Sequence, residues 1–519
     1  MKIAPFKYGL MVEERSYSNH QLTDGRLLAR NTIFNLIGQG APIIAAVFAI
    51  PILVKGLGTD RFGVLTLTWV AIGYFSLFDL GFSRALTKLV SEKLGESRYK
   101  ELLALIWTSM FLMVILGLIG TLIVCLLSSW LVQEILKIPD FLQQETLKSF
   151  FLLAISIPVV TSTAGLRGIL EAFQRFELIN AIQIPMGLFT FLGPLMVLSF
   201  SRSLFPAVAV LVAGRVIACA VHVQLCLHIM PALRTNIALK KGVIKPLVSF
   251  GGWMTITNVV GPLMTYLDRF LIGALVSVTA VAYYATPYDI VTKLSHIPGA
   301  LVGVLFPAFS TSFVQDPYRT ALLFKRGVKY AFLAIFPILL IIMTFAYEGL
   351  NLWLGGEFAQ QGTRVLQWLA VGVFFNSLTL IPFALVQGVG RPDLTAKLHF
   401  IELPFYLVIA WWLIINRGIE GAAIAWVARV AVDTFFLFGM AYRILPNLPG
   451  VLLRMTLIMG GGLFIMGLAS LTAGLAMKGI FIFITLCVFG MVTWFGFLTP
   501  EERVFIKKGF KYINCRSIS

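Results

Sequence analysis

The chain has 519 residues, of which 58% are hydrophobic and 13% charged, and its formal net charge is +17. Because soluble proteins carry about 25% charged residues, this composition excludes an ordinary water-soluble enzyme or binding protein. Long apolar runs at nearly regular intervals instead predict membrane-spanning helices of about 20 residues each.

Fourteen apolar runs follow one another along the chain, and each predicts one helix. Only helices and closed barrels satisfy their backbone hydrogen bonds inside a membrane, and a barrel would show short alternating strands. The predicted fold class is therefore an all-α polytopic membrane protein. The predicted spans are 32–54, 62–82, 103–131, 149–166, 178–200, 204–231, 246–276, 281–311, 330–346, 365–388, 400–416, 420–442, 455–474 and 479–498.

Lysine and arginine are concentrated in the N-terminal segment, the C-terminal tail and every second connection between spans. These regions hold 29 of the 41 basic residues, whereas the other connections hold 8. Because basic residues mark the cytoplasmic side of a membrane, both termini are predicted to be cytoplasmic. The positive charge is then a topology signal and a contact for anionic lipids, so no nucleic-acid partner is predicted.

The two halves of the sequence resemble each other at an offset of about 216 residues. The segments 171–178 and 387–394 both read acid or amide, small residue, two residues, arginine, one residue, acid, leucine. The segments 62–65 and 281–284 match at an offset of 219. Six helices per half give both halves one orientation, which predicts two parallel six-helix lobes related by pseudo-two-fold symmetry.

The predicted organisation has six parts. They are a cytoplasmic N-terminal segment (1–31), an N-lobe of helices 1–6 (32–231), a cytoplasmic linker (232–245), a C-lobe of helices 7–12 (246–442), a loop with helices 13 and 14 (443–498), and a basic cytoplasmic tail (499–519).

Seven short motifs occur in a fixed order along these helices. They are Asn31-Thr32-Ile33-Phe34-Asn35, Leu57-Gly58-Thr59-Asp60-Arg61-Phe62-Gly63-Val64-Leu65, Phe78-Asp79-Leu80-Gly81-Phe82, Arg84-Ala85-Leu86, Tyr266-Leu267-Asp268-Arg269-Phe270-Leu271-Ile272-Gly273, Val281-Ala282-Tyr283-Tyr284 and Gln387-Gly388-Val389-Gly390-Arg391.

Their order and the helix count resemble the polysaccharide-transporter branch of the MOP (multidrug/oligosaccharidyl-lipid/polysaccharide) exporter superfamily, the Wzx-type O-antigen and exopolysaccharide flippases. The resemblance covers roughly residues 28–445. One departure is Ala282, where the family usually has a glycine before the tyrosine.

The resemblance implies a flippase of the bacterial inner membrane with a hydrophilic cavity between its lobes. Its substrate would be an undecaprenyl-pyrophosphate-linked oligosaccharide repeat unit, moved from the cytoplasmic to the periplasmic leaflet by rocking of the lobes. O-antigen, capsule or exopolysaccharide synthesis would be its pathway, with the polysaccharide polymerase and glycosyltransferases as partners. A lipid II flippase and a MATE-type cation-coupled drug exporter remain open alternatives.

No sequence feature predicts an enzyme, a cofactor or a metal site. The sequence has no His/Asp/Glu cluster at metal-ligand spacing, no Walker motif and no large soluble catalytic domain. In the absence of an ATPase motif, the candidate driving force is a proton or sodium gradient, or the concentration imbalance of the substrate itself.

Four basic residues inside predicted spans are candidates for substrate binding. An ionisable residue at mid-membrane costs about 2.5–3.5 kcal/mol on insertion scales, so each needs a partner or a wet cavity. Guanidinium and ammonium groups bind phosphate oxygens, which predicts a cationic surface for the diphosphate. An arginine that bridges helices within its own lobe is the alternative. The candidates are Lys293, Arg269, Arg215 and Arg429.

Four acidic residues in the spans, Asp268, Asp289, Asp433 and Asp79, are candidates for ion coupling or charge pairs. Asp289 and Lys293 are four residues apart, as are Arg429 and Asp433, which makes the members of each pair neighbours on one helix face. Each pair is therefore a candidate for mutual neutralisation. Asp79, within reach of Arg84 or Lys88, is expected to be structural.

Overall fold

The structure is a computed structural model. It describes residues 44–95, 99–173, 175–235, 266–445, 449–500 and 502–504, with isolated positions between them. The N-terminal segment with the Asn31 motif, parts of the linker, the start of predicted helix 7 and most of the tail lie outside the described residues. Every regular element within the described ranges is a helix.

The described part of the first half of the chain forms eight helices, and a 3-10 segment, Phe75–Asp79, separates the second from the third. They are α1 (Ile44–Leu57), α2 (Thr59–Tyr74), α3 (Phe82–Gly95), α4 (Tyr99–Trp130), α5 (Asp140–Ile155), α6 (Ile157–Ala172), α7 (Phe176–Val197) and α8 (Leu204–Ile229).

The second half of the chain follows the same plan. It contains α9 (266–275), α10 (Val278–Thr292), α11 (His296–Gln315), α12 (Pro317–Thr344), α13 (Ala346–Leu354), α14 (Gly356–Gly388), α15 (Pro392–Ile444), α16 (Pro449–Leu471) and α17 (Leu475–Val492). A short 3-10 segment, Lys293–Ser295, separates α10 from α11.

Eight helices in the described part of the chain are long and apolar enough to cross a membrane, which confirms the all-α polytopic class. α17 buries none of its residues, as expected for a helix that is apolar all round and faces lipid. The spanning helices are Glu101–Ile135, Asp140–Ala172, Glu177–Val197, Leu204–Ile229, Pro317–Thr344, Gly356–Gly388, Pro392–Ile444 and Leu475–Phe497.

The sequence repeat is visible in the local structure. α2 begins at Thr59 and α10 at Val278, 219 residues apart, and each helix passes into a 3-10 segment at its far end. Arg175 pairs with Glu177 at 2.5 Å, and its N–H bonds to the carbonyl of Leu170. Arg391 pairs with Asp393 at 3.1 Å, and its N–H bonds to the carbonyl of Val386. The two turns therefore share one conformation, 216 residues apart.

Predicted helices 11 and 12 are the two arms of α15, which reverses direction at Gly418. Gly418 has φ 57° and ψ −137° between two helical arms. This left-handed region is one that glycine adopts without steric cost, so the arms join with almost no loop. The long α14 packs along α15, while α16 and α17 pack on α12.

Candidate functional site

The two halves of the chain meet at one end of the bundle, where α2 packs on α10. Thr279 Oγ1 donates a hydrogen bond to Asp60 Oδ1 at 2.5 Å. A Cβ atom on Gly63 would lie 2.0 Å from the carbonyl oxygen of Val278, so the two helix backbones approach as closely as glycine permits. This seam is therefore tight, and its position is set by the first turns of two repeat-related helices.

Two further contacts join the halves at the same end. Lys137, between α4 and α5, donates its N–H to the carbonyl of Gly273 at 3.0 Å and its ammonium group to that of Leu275 at 2.6 Å. Trp353 in α13 donates its ring N–H to the carbonyl of Val47 in α1 at 2.6 Å. We call this region, defined by Asp60, Lys137, Gly273, Thr279, Val47 and Trp353, the contact end. Its connections belong to the set that is poor in lysine and arginine.

A cavity of ≈ 680 Å³ lies in the N-terminal half, between α3, α6, α7 and α8. It lies towards the opposite end from the contact end, because α5 and α8 both start near Arg61 and Glu145 and run away from them, and α6 continues α5 in the same direction. Three arginines, two acidic residues and a histidine contribute to its lining, beside apolar groups. They are Arg84, Arg167, Arg215, Asp79, Glu171 and His222.

Two of the three cavity arginines have no acidic partner among the described residues. Arg167 pairs with Glu171 at 2.8 Å on its own helix. Arg215 is half-buried and donates one long bond of 3.5 Å to the carbonyl of Leu211. Neither Arg84 nor Arg215 forms an ion pair with any residue in the described ranges. The cavity therefore presents two guanidinium groups that can bind an anion.

Asp79 lies at the wall of this cavity, but its carboxylate is occupied. It accepts hydrogen bonds from the N–H of Gly81 at 2.7 Å and from Ser83 Oγ at 2.5 Å. These bonds fix the turn between the 3-10 segment and α3. The structural role expected for Asp79 is therefore the one that its contacts support, although a local cap replaces the ion pair with Arg84 or Lys88.

Arg269 and Asp268 are buried in the C-terminal half, at 2% and 1% exposure. Arg269 pairs with Asp289 at 2.6 Å, and its guanidinium lies over the ring of Tyr288, 5.0 Å from the centroid. Tyr284 donates its hydroxyl to Asp268 Oδ2 at 2.5 Å. The ion pair expected between Asp289 and Lys293 does not form, because a buried guanidinium needs a counter-charge more than an exposed ammonium does.

The buried network lies beside the seam between the halves. Tyr74 of α2 places its ring 5.9 Å from that of Tyr266 and 6.0 Å from that of Phe270, on the helix that carries Arg269. Movement of α2 against α9 would therefore change the surroundings of Arg269. In this arrangement Arg269 is almost completely buried and is not exposed to a ligand.

Lys293 and Arg429 have different surroundings. Lys293 is exposed in its 3-10 segment and forms no ion pair with a described residue. Arg429 is half-buried over the ring of Tyr406, 5.8 Å from the centroid. The expected ion pair between Arg429 and Asp433 does not form either. Instead, Nε2 of His399 lies 3.6 Å from Oδ1 of Asp433.

Arg84 and Arg167 were not predicted from the sequence as cavity residues. Both lie where helices meet basic connections, and there a cavity arginine has the same sequence signal as a topology-setting one. Only the packing of α3 against α6 brings them beside Arg215. The spacing of arginines along one predicted helix pair is the signal that could have suggested them.

Comparisons with known proteins agree with this architecture. Residues 28–313 match the model of the family described as polysaccharide biosynthesis protein. A protein of Shigella flexneri that is provisionally named O-antigen transporter is 31% identical over 415 residues, which cover 79% of this chain and 96% of that relative.

Two solved structures share the fold. Lipid II flippase MurJ in an inward closed conformation matches with a TM-score of 0.68 and 12% identity, over 89% of this chain and 98% of that one. An inward-facing MATE family multidrug resistance transporter of the MOP superfamily matches with a TM-score of 0.67 and 14% identity, over 79% and 98%. At these identities the likeness shows the fold alone, and it confirms the fold that the sequence motifs implied.

Proposed function

We propose that this chain, which belongs to the family of polysaccharide biosynthesis proteins, is a flippase that moves an undecaprenyl-pyrophosphate-linked oligosaccharide across the bacterial inner membrane. The relative from Shigella flexneri supports O-antigen or a similar glycan as the product of its pathway. The relatives and solved neighbours are transporters, so we assign the chain no catalytic step.

The observation that carries the proposal is the pair of guanidinium groups of Arg84 and Arg215, which have no acidic partner among the described residues and line a cavity within an apolar bundle. A diphosphate offers several oxygens to such groups, and guanidinium binds phosphate in a planar, two-pronged geometry. The polyprenyl tail would stay among the lipid chains while the headgroup enters the cavity. Lys293 and Arg429 would meet the headgroup from the other half as the halves rock.

Closure at the contact end supports a direction of transport. The connections there are poor in basic residues, so the positive-inside rule assigns them to the periplasmic face. The cavity lies towards the other end, which would face the cytoplasm, where the lipid-linked glycan is made. Opening of the contact end and closure of the other would then deliver the headgroup outwards, as in alternating access between parallel repeats.

The test combines Arg84→Gln and Arg215→Gln in cells that lack their own flippase. Each lost charge-assisted bond is worth about 1.5–3 kcal/mol, so we expect glycan export to fall roughly tenfold or more in the double variant. Arg234→Gln, which removes an exposed arginine beyond the end of α8, is the matched control. Surface glycan at equal protein level is the measurement, and full export by the double variant would reject the cavity as the binding site.

Purified protein in liposomes separates the alternatives. A glycan on undecaprenyl pyrophosphate, lipid II and a cationic dye are supplied in turn, with an imposed proton or sodium gradient. We expect transport of the lipid-linked glycan. Transport of lipid II alone, or of the dye alone, would replace the proposal with one of the two other exporter types.

A further inference from the structure

Three side chains that can bind a metal ion meet inside the C-terminal half. His399 and Glu402 lie three residues apart on the first arm of α15, and Asp433 lies on the second arm. One nitrogen or oxygen from each of the three lies within 4.8 Å of the other two. The sequence shows no metal-ligand spacing, because these donors come together only when α15 folds back at Gly418.

The two carboxylates are buried, and three of their four oxygens have no hydrogen-bond partner in the described part of the chain. Glu402 is 6% exposed and Asp433 is 7% exposed. Neither oxygen of Glu402, nor Oδ1 of Asp433, has a hydrogen-bond donor among the described residues. Buried charges are normally paired, hydrogen-bonded or bound to a metal, so this cluster needs positive charge from some source.

Among the described residues, the neighbouring cationic groups form no close ion pair with Glu402 and only one long contact with Asp433. Arg429, one turn from Asp433, forms no ion pair with either carboxylate, and its guanidinium lies over the ring of Tyr406. His399 approaches Asp433 only to 3.6 Å, and its ring stacks on that of Phe383. A histidine at that distance is a weak partner for one carboxylate and no partner for Glu402.

We infer that His399, Glu402 and Asp433 bind one divalent first-row transition-metal ion, such as Zn²⁺ or Mn²⁺. An imidazole nitrogen with two carboxylates is a donor set typical of these ions, whereas Na⁺, Mg²⁺ and Ca²⁺ favour oxygen donors alone. This site is independent of the proposed transport function and of the arginine cavity.

The geometry fits an ion between the two arms. Metal–ligand bonds to nitrogen and carboxylate oxygen are about 2.0–2.2 Å, so donors on opposite sides of one ion lie about 4 Å apart. Small side-chain rotations would draw the present donors to that separation. The imidazole of His399 is 30% exposed, which gives the ion an entry path from the surface. A bound ion would hold the arms of α15 together.

The experiment measures metal binding to the full-length purified protein with any affinity tag removed. Zn²⁺ and Mn²⁺ are titrated separately by calorimetry, and bound metal is counted by mass spectrometry. We expect one ion per chain, and binding at least roughly tenfold weaker in both Glu402→Gln and Asp433→Asn. Asp393→Asn is the control, because Asp393 is an exposed carboxylate on the same helix with its own arginine partner.

Melting temperatures measured with and without metal show whether Glu402 binds a metal ion or only supports the fold. Neutralising an unpaired buried carboxylate favours the metal-free fold, so Glu402→Gln should melt at a higher temperature than the natural chain in chelator. With Zn²⁺ the order should reverse, because only the natural chain gains from the ion. Zinc binding that is absent from the natural chain, or equal in Glu402→Gln and the control, would overturn the inference.

Discussion

Asp60 and Thr279 occupy matching positions in the two halves of the repeat, and they are hydrogen-bonded to each other at 2.5 Å across 219 residues of sequence. Two points related by a two-fold axis can touch only if both lie close to that axis. The pseudo-symmetry axis therefore passes through the contact end, between the first turns of α2 and α10. Separation of the halves at this end must break that hydrogen bond.

A disulfide at this pair should lock the contact end. We expect Asp60→Cys with Thr279→Cys, in a chain whose five natural cysteines are replaced, to cross-link on oxidation and to stop glycan transport in liposomes. Reduction should restore transport, because only the opening of the seam is blocked. Each single cysteine variant under the same oxidant is the control. Normal transport by the fully cross-linked protein would show that the contact end need not open.

Gly63 should be the residue that allows α2 and α10 to approach each other when the contact end closes. Its Cβ position is 2.0 Å from the Val278 carbonyl, so Gly63→Ala must push α2 away from α10. Overpacking of this kind costs about 1–3 kcal/mol, and only the closed arrangement bears that cost. We therefore expect slower cross-linking of the Asp60→Cys/Thr279→Cys pair.

Gly73→Ala is the matched control for that measurement, because Gly73 lies on the same helix with nothing within 4 Å of its Cβ position. The Gly73→Ala variant gains the same helix propensity as Gly63→Ala, but its added methyl group meets no neighbouring helix. Equal cross-linking rates in the two backgrounds would contradict the close-approach argument.

Asp289 should stabilise the fold through Arg269. The Arg269 side chain is 3% exposed and that of Asp289 36%. Asp289→Asn leaves a buried guanidinium without its ion pair, and we expect a loss of about 2–3 kcal/mol, somewhat below that of a fully buried pair. A lower melting temperature in detergent is the readout. Asp393→Asn is the control, because it breaks an exposed ion pair worth at most about 1 kcal/mol. Equal losses of stability in the two variants would contradict the stronger role of the buried pair.

The contact of Glu502 with α12 should survive mild acid. Burial raises the pKa of Glu502, but hydrogen bonds from Lys329 and Tyr330 outweigh it and lower that pKa to about 2. A carboxylate with a lowered pKa stabilises the fold above its unfolded value of about 4.3, and that stabilisation is lost as the pH falls towards 2.

Hydrogen exchange at residues 502–504 can measure this contact. We expect unchanged protection, after correction for intrinsic rates, between pH 7 and 5, and a loss beginning near pH 4. Glu502→Gln should show reduced protection between pH 7 and 5 and should approach the natural chain as the pH falls towards 2, whereas Asp393→Asn should not differ from the natural chain at any of these pH values. A loss of protection already complete at pH 5 would contradict the assigned cause.

Helix positions could be predicted from the sequence because hydrophobicity over some 20 residues is a strong, local signal. The repeat could be predicted as well, since the turns at Arg175 and Arg391 keep the same side chains at the same spacing. The partner that each buried charge selects could not be predicted from the sequence. A spacing of four residues puts Asp289 beside Lys293, but helix packing brings Arg269 to Asp289 from another helix.

The cluster on α15 shows the same limit more clearly. His399 and Glu402 are close in sequence, yet Asp433 reaches them only through a reversal whose geometry the sequence indicates by a single glycine. Arg84 and Arg167 likewise have the sequence signal of topology-setting residues, because one basic residue at a helix end can serve either purpose. Charge position along the chain is therefore informative about the membrane side and uninformative about which cavity a charge enters.

The reversal at Gly418 leaves the two arms of α15 joined by one residue of non-helical backbone. A loop this short leaves almost no exposed backbone for an antibody or a protease at that end of the bundle. Insertion of an epitope tag there would have to unwind a helix end, so reporters for topology mapping belong in the longer connections.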